Sequence, residues 1–418
     1  MADRTDDSLL ELEMGPVAAG GGCVSRAPDG RVVFVRHSLP GELVRARVTA
    51  MTSSFLRADA VEILRPSADR VDPPCPHAGP GRCGGCDFQH ATLGAQRAMK
   101  AFRIAEQLRR VAGVTRTVEV EAVPGDEEGL AWRSRLRLAV DRDGHVGFRR
   151  HRSHAIEPID ACPVATPAVD ATGALAARWP GAAAVDVATG IGVDDAVVRV
   201  AVRGRTRVAL PDVVAGVVVG GTVRRPPAAV HAVVAGRKYR VSPGVFWQVH
   251  VGAAAALLEA VLALAAPVAG ETAVDLYAGA GLFAVPLAEA VGAAGSVLAV
   301  ERDRHACADA RHNGAGMGAL HVLEDSVTPE LVTGGIGRPG LVVLDPAREG
   351  AGIAVMAALA AHAPTLERVL YVSCDPASFA RDARVLLDAG WELAALRAFD
   401  IFPMTEHVEL VALLRPPA

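Results

Sequence analysis

From about residue 241 the chain repeats one unit, a short apolar run that closes on a polar or glycine-bearing loop and is followed by an alanine-rich stretch. AVDLYAGAG, VLAVERD, LHVLEDS, LVVLDPAR and RVLYVSCDP are such runs. Strands this continuously apolar must be buried on both faces, and a parallel sheet with helices on either side does that. The pattern predicts an α/β chain with a doubly wound, Rossmann-like, mostly parallel sheet. Ligands of such sheets bind beyond the carboxyl ends of the strands. The residues to read are therefore Asp275, Tyr277, Glu301, Asp325, Asp345 and Cys374.

Asp275-Leu-Tyr-Ala-Gly-Ala-Gly follows one predicted strand and opens a helix. Gly279 and Gly281 let the backbone come close to a ligand. Glu301 ends the next strand, where a carboxylate can hold two ribose hydroxyls. Gly279-x-Gly281-x-x-Ala284 with a later acid also fits a dinucleotide fingerprint. The loop thus indicates an adenosine-containing cofactor and leaves NAD and S-adenosylmethionine both open.

The first half reads differently. Residues 15–64 alternate in short valine-rich strands with turns at Asp29-Gly30 and Leu39-Pro40-Gly41, as in a small oligonucleotide-binding-type β-barrel. Residues 65–90 are rich in Pro, Gly and Cys, and 91–113 are apolar every three to four residues, which predicts a helix. Residues 118–240 read as strands with glycine turns. Arg133, Arg135 and Arg137 alternate with Leu136, Leu138 and Val140, and Arg203, Arg205 and Arg207 repeat the pattern. A solvated face and a phosphate-binding face both fit that alternation.

Charge separates the same regions. The whole chain carries a net −4, yet residues 131–240 hold 17 Lys+Arg against 9 Asp+Glu. A basic middle in an acidic chain is a candidate footprint for a polyanion. With 51% hydrophobic and 22% charged residues, wholesale disorder is excluded. The acidic start, MADRTDDSLLELEM, lacks the pattern of a signal peptide. In the most apolar stretch Glu259 and Pro267 intervene before ~20 apolar residues accumulate. We expect no membrane span and a cytoplasmic location.

Seven cysteines in 418 residues do not make a disulfide scaffold. Cys75, Cys83 and Cys86 are spaced C-x7-C-x2-C, and Cys162 follows far downstream in Asp160-Ala-Cys-Pro. Four thiolates suit zinc or a [4Fe–4S] cluster, and the spacing by itself points to zinc. His77 and His90 are the alternative ligands nearby, while Cys23 and Cys307 read as packing residues. Cys374, at the mouth of a predicted strand, is placed to act as a nucleophile.

Several ordered segments resemble the RNA uracil-5-methyltransferase family. They are LPGE, RPSADR and CGGCDFQH; then WRSRLRLAVDRDGHVGFRRHRSHAIEPIDACP and Phe246-Trp-Gln248-Val; and finally DPAREG, SCDPASFARD and FPMTEHVE. The resemblance covers nearly the whole chain. It implies a TRAM barrel in residues 1–66 and a central, cluster-bearing α+β RNA-binding domain in 67–90 and 118–240. Residues 91–117 and 241–418 would form a class I S-adenosylmethionine-dependent methyltransferase domain. It implies a [4Fe–4S] cluster on Cys75, Cys83, Cys86 and Cys162, in preference to zinc. Four cysteines would close that cluster, unlike the open one that radical chemistry needs.

The resemblance also implies a mechanism. Cys374 would add to uracil carbon 6, so that carbon 5 can attack the donor methyl, and Glu409 would remove the carbon-5 proton. Gln248, Tyr277, Gly279, Gly281, Glu301, Asp325 and Asp345 would bind the donor. The target base would leave its stack to reach the donor. Three positions depart from the family pattern. Ala347 replaces a second proline, Asp375 an asparagine and Leu282 a donor-binding asparagine, and the first cysteine gap is long.

The expected function is 5-methyluridine formation in structured RNA, 23S ribosomal RNA ahead of transfer RNA, by a monomer. A cytosine-5-methyltransferase would also use a cysteine adduct, but the Glu409 and SCDP contexts argue against it. An NAD-dependent oxidoreductase leaves Cys374, Glu409 and the barrel unexplained. A catalytically silent RNA-binding relative would have no need of Cys374 and Glu409.

Overall fold

The computed structural model describes residues 9–204, 206–362 and 365–417. The first five strands are β1 (Leu9–Glu13), β2 (Cys23–Arg26), β3 (Val32–Arg36), β4 (Leu43–Met51) and β5 (Phe55–Arg65). They form one sheet in the order β1-β4-β5-β3-β2. In β4 the sequence alternation becomes two faces, with Val44, Ala46 and Val48 inward and Arg45 and Arg47 outward. Register shifts between β4 and β5 bend the pair around a core that includes Val33, Val35, Leu56 and Ala58. Cys23 is buried in that core.

Helix α1 (Leu93–Gln107) starts at Thr92, whose hydroxyl accepts the Ala95 amide. The periodicity predicts helix to 113. The chain instead closes α1 with a π turn over Leu108–Ala112 and stops at Gly113, which takes a left-handed φ of 73°. Lys100 of α1 is fully buried and its Nζ lies 2.5 Å from Asp400 Oδ1. A buried cation without that acid would cost several kcal/mol, so the pair fixes where the helix sits.

A second sheet comprises β7 (Arg135–Val140), β8 (Val146–Arg149), β9 (Ile156–Pro158), β10 (Ala182–Thr189), β11 (Ala196–Val202), β12 (Gly216–Val219) and β13 (Thr222–Arg225). Between the fifth strand and this sheet lies β6 (Val120–Ala122), and α2 (Pro167–Ala171) lies between β9 and β10. The strand order is β13-β12-β11-β10-β7-β8-β9. One sequence expectation fails here. The Arg203-Arg205-Arg207 alternation is not a strand face, because β11 ends at Val202. Arg203 turns back to the carbonyl of Val140 at 2.6 Å, and Arg205 lies outside the described residues. Gly204, with φ at 58°, breaks the extended run. A hairpin, β14 (Val230–Val234) with β15 (Arg237–Val241), follows.

The remaining elements alternate as predicted: α3 (Ala253–Ala265), β16 (Thr272–Leu276), α4 (Ala284–Val291), β17 (Ser296–Glu301), α5 (Arg304–Asn313), β18 (Leu320–Glu324), α6 (Pro329–Gly334), β19 (Leu341–Leu344), α7 (Ile353–Ala360), β20 (Arg368–Ser373) and α8 (Pro376–Asp388). The pair β21 (Glu392–Asp400) and β22 (Glu409–Arg415) ends the chain. The sheet order is β18-β17-β16-β19-β20-β22-β21-β6. β16 to β20 are mutually parallel and β22 is antiparallel to both its neighbours. One edge is completed by β6, parallel to β21. Apolar cores lie on both faces, as continuous strand hydrophobicity requires. Among the described residues no helix is long and apolar enough to cross a membrane.

Candidate active site

The order of the large sheet reverses between β16 and β19, because the chain runs outward from β16 through β17 to β18 and then returns to β19. At such a switch point the loops diverge and open a crevice. Pairing aligns the strand ends around it. Leu276 faces Leu344 and Leu344 faces Tyr371. The residues just beyond are Tyr277, Asp345 and, three positions past the last β19–β20 pair, Cys374. β22 closes the other side. Ser373 pairs with Leu410, so one further step of the same antiparallel register sets Cys374 across from Glu409. These two residues are 35 apart in sequence, and the pairing of β20 with β22 carries the chain to within one step of both.

The electrostatics follow from that proximity. The Cys374 thiol is pushed up to about 12, by burial first and then by the charges of Glu409 and Asp345, with Arg348 pulling the other way. Glu409 is 3% exposed, and burial with the charge of Asp345 raises its carboxyl well above the usual range. Burial raises Asp345 to about 7. Arg348 Nη2 lies 2.6 Å from His407 Nδ1, and burial with that cation holds the imidazole down at about 4, hence neutral. Arg348 and His407 were visible in DPAREG and in His407-Val-Glu409. What sequence spacing does not reveal is that they touch each other beside Cys374.

On the other side of the switch lies the glycine loop. Tyr277 has a φ of 65°, an uncommon conformation for a residue with a side chain. Gly279, with φ at 54°, has open space where a Cβ would point. At Gly281 a Cβ would come within 3.1 Å of Val285 and 3.5 Å of Ala310, so this glycine serves helix packing. Glu301 Oε2 accepts the Gly279 amide at 3.0 Å, which ties the acid at the end of β17 to the loop. Asp275 is fully buried and neither of its carboxylate oxygens has a hydrogen-bond partner. Burial and the nearby Asp345 raise it well above the usual range. Open space at Gly279, an acid at the end of β17 and unpaired oxygens at Asp275 fit a polar nucleoside ligand. Gln248 is buried on the segment entering α3, and Asp325 stands exposed beyond β18, beside the Glu301 carbonyl that its amide contacts at 3.0 Å.

Cys75, Cys83, Cys86 and Cys162 form a second cluster. Burial, then their mutual charges, pushes Cys86 up to about 12 and Cys162 to about 11. Arg133 lies beside Cys162, Cys86 and Cys83, a cation suited to an anionic thiolate group. Sequence alternation had grouped Arg133 with Arg135 and Arg137, and gave no sign of this neighbourhood. The two histidines are engaged elsewhere, His77 Nδ1 lying 3.2 Å from Glu157 and His90 Nε2 3.3 Å from the Ser38 carbonyl. Among the described residues no three of the cysteine sulfurs lie mutually within 4.8 Å. A tetrahedral zinc with ~2.3 Å bonds would draw them to ~3.8 Å.

A groove of about 230 Å³ runs beside the second sheet. Arg133, Arg135, Arg137 and Arg199 line it, with only Asp186 as a lining acid. Its far wall is Ser242–Val245, and Phe246, 68% exposed, follows immediately.

Residues 16–61 match the TRAM domain family. The chain is 46% identical to an uncharacterized RNA methyltransferase of Streptomyces avermitilis, over 98% of each chain. It is 33% identical to the 23S rRNA (uracil(1939)-C(5))-methyltransferase RlmD of Shewanella sp. strain ANA-3, over 92% of this chain and 91% of that one. The tRNA (uracil-54, C5)-methyltransferase of Pyrococcus abyssi, solved with S-adenosyl-L-homocysteine, superposes with a TM-score of 0.73 at 23% identity, covering 97% of this chain and 100% of that one. That likeness shows a shared fold.

Proposed function

The chain belongs to the S-adenosylmethionine-dependent RNA uracil-5-methyltransferase family, and on that premise we propose that Cys374 is its nucleophile and Glu409 its proton acceptor. The observation that carries this is the facing of Cys374 and Glu409 across the ends of β20 and β22, with Asp345 beside both. Gln248, Tyr277, Gly279, Gly281, Glu301, Asp325 and Asp345 surround the donor. Bound there, S-adenosylmethionine supplies an electrophilic methyl group. The Cys374 thiol gives up its proton to solvent and its sulfur bonds to uracil carbon 6, while the carbon 5–carbon 6 electron pair moves through carbon 5 to the methyl, whose bond to the sulfonium sulfur breaks to leave S-adenosylhomocysteine. Glu409 then accepts the carbon-5 proton, the carbon 5–carbon 6 double bond re-forms, and the sulfur leaves. Burial suits Glu409 to this step, because a carboxyl raised above its ordinary value is a stronger base than an exposed one.

Residues 1–66, with 67–90 and 118–240, would engage RNA, and residues 91–117 and 241–418 would carry out methyl transfer. The RNA is 23S ribosomal RNA ahead of transfer RNA, a reading supported by the ribosomal activity in the name of the Shewanella relative. The four cysteines would hold a [4Fe–4S] cluster, a reading supported by their mutual proximity and by Arg133 beside three of them. The protein acts as a cytoplasmic monomer.

The test is methyl transfer from isotope-labelled S-adenosylmethionine to unmodified 23S ribosomal and transfer RNA, read by nucleoside mass spectrometry. Wild type should label 5-methyluridine in the ribosomal fraction, and Cys374→Ala should label nothing. Label in transfer RNA alone would reverse the substrate assignment. Label in cytosine, or equal label with Cys374→Ala, would overturn the proposed chemistry.

A further inference from the structure

The cysteine segment is hydrogen-bonded to the loop that leads into Glu409, and neither site as described uses that connection. The loop, 401–408, joins β21 to β22. The Met404 carbonyl accepts the amides of both Asp87 and Phe88, each at 2.9 Å. The Glu406 amide donates to Asp87 Oδ2 at 3.2 Å. Asp87 and Phe88 directly follow Cys86. Gln96 of α1 holds the same point: its Oε1 accepts the Met404 amide at 2.8 Å and its Nε2 donates to the Phe88 carbonyl at 3.2 Å. Met404 has a φ of 67°, which a side-chain-bearing residue keeps only when its surroundings impose it. Apolar packing repeats the connection. Cys86 and Cys162 pack with Met404 and Phe402 around Trp132. The Phe402 ring stands edge-on to Trp132 at 6.3 Å and to His407 at 6.0 Å.

Glu409 is the first residue of β22. On the β20 side the paired register starts only at Leu410, and on the β21 side Glu409 pairs with Phe399. Its carboxylate is therefore placed by the loop as much as by the sheet. We propose that Asp87 is a positioning residue for Glu409: the Cys86–Phe88 segment, anchored through the metal-binding cysteines, seats loop 401–408 and so aims the carboxylate that removes the carbon-5 proton. This rests on the assignment of Cys374 and Glu409 above. Misplacement of a reacting group by about 1 Å can cost ~10²-fold in rate. Loosening the seat should therefore slow proton removal and leave earlier steps intact, so the cysteine–RNA adduct should accumulate.

The experiment uses full-length, metal-loaded protein and compares wild type with Asp87→Ala, Asp87→Asn, Glu409→Gln and Cys374→Ala. Glu409→Gln should arrest as a methylated protein–RNA adduct stable to denaturing electrophoresis, and Cys374→Ala should form none. Asp87→Ala removes the acceptor of the Glu406 amide and the 3.3 Å partner of Arg36, and should lower kcat about tenfold, as the loss of the Glu406 bond alone would at the upper end of its range. It should build up the same adduct with KM for RNA and donor unchanged. Amides of 402–408 should exchange about tenfold faster by mass spectrometry, and Asp87→Asn, which keeps an acceptor for Glu406, should restore most of the turnover. Wild-type kcat in Asp87→Ala, or a loss of kcat without adduct and with unchanged exchange, overturns the proposal. No adduct with Glu409→Gln overturns the parent assignment and this proposal with it. Should Asp87→Ala not retain metal, wild type is compared before and after chelation. Faster exchange in 402–408 supports the coupling, and unchanged exchange there overturns it.

Discussion

Asp345 neighbours Asp275, Glu409 and Cys374, and acidic groups that close cannot all carry charge. Each is held above its ordinary value, by burial first. For catalysis the sign is direct: if Glu409 is the proton acceptor it must be unprotonated, so kcat should rise with pH. Asp345→Asn removes a like charge from Glu409, lowers its pKa and should move that rising limb to lower pH. Rates at saturating RNA and donor would show it, and a limb that stayed put would count against Asp345 as the cause. For stability the sign is opposite. Between the unfolded Asp value of about 3.9 and its raised native value, Asp275 keeps a proton that the unfolded chain has lost, so stability falls as pH rises, by at most about 1.4 kcal/mol per pH unit. Asp275→Asn removes that slope. Its melting temperature should fall less than that of wild type as pH rises above the unfolded Asp value of about 3.9, and an equal fall would mean that Asp275 is charged in the folded enzyme.

Secondary elements set what these groups can reach. The glycine loop between β16 and α4 uses its two glycines differently, as the space around them shows. Gly279→Ala adds a methyl in open space at positive φ, a strain of about 1–2 kcal/mol. The methyl projects into the volume assigned to the donor. We expect donor affinity by calorimetry to fall at least tenfold, with only a few degrees lost in melting temperature. Legibility also differs by element. The parallel strands were readable because burial on both faces leaves a continuous apolar run, and Asp275, Glu301, Asp345 and Cys374 were readable because they end those runs. The arginine alternation at 199–207 misled because period two states which residues could share a face, and says nothing of where a strand stops. The end of β11 at Val202 and the positive φ of Gly204 stop it.

Across the whole molecule the basic bias of residues 131–240 resolves into a groove. Arg137, largely exposed, and Arg199 share Asp186, so the groove keeps an excess of cations. If these face phosphates, Arg137→Ala should weaken RNA binding and reduce the salt dependence of the binding constant by about one unit of slope, leaving donor affinity unchanged. An unchanged slope would confine Arg137 to pairing with Asp186. The groove wall at 242–245 leads directly to Phe246 and Gln248, so RNA in the groove would lie next to the donor crevice.

The sequence by itself determined the sheet class, the strand-end residues, the four cysteines and the ordered motifs, because each is written in local period, spacing or residue type. Only the tertiary structure decided which of them meet. Antiparallel pairing of β20 with β22 sets Cys374 opposite Glu409, burial puts Arg133 among the cysteines, and Asp87 with Phe88 holds the Met404 carbonyl. These are contacts between segments tens to hundreds of residues apart. Their partners are chosen by strand register and packing, which no local pattern encodes.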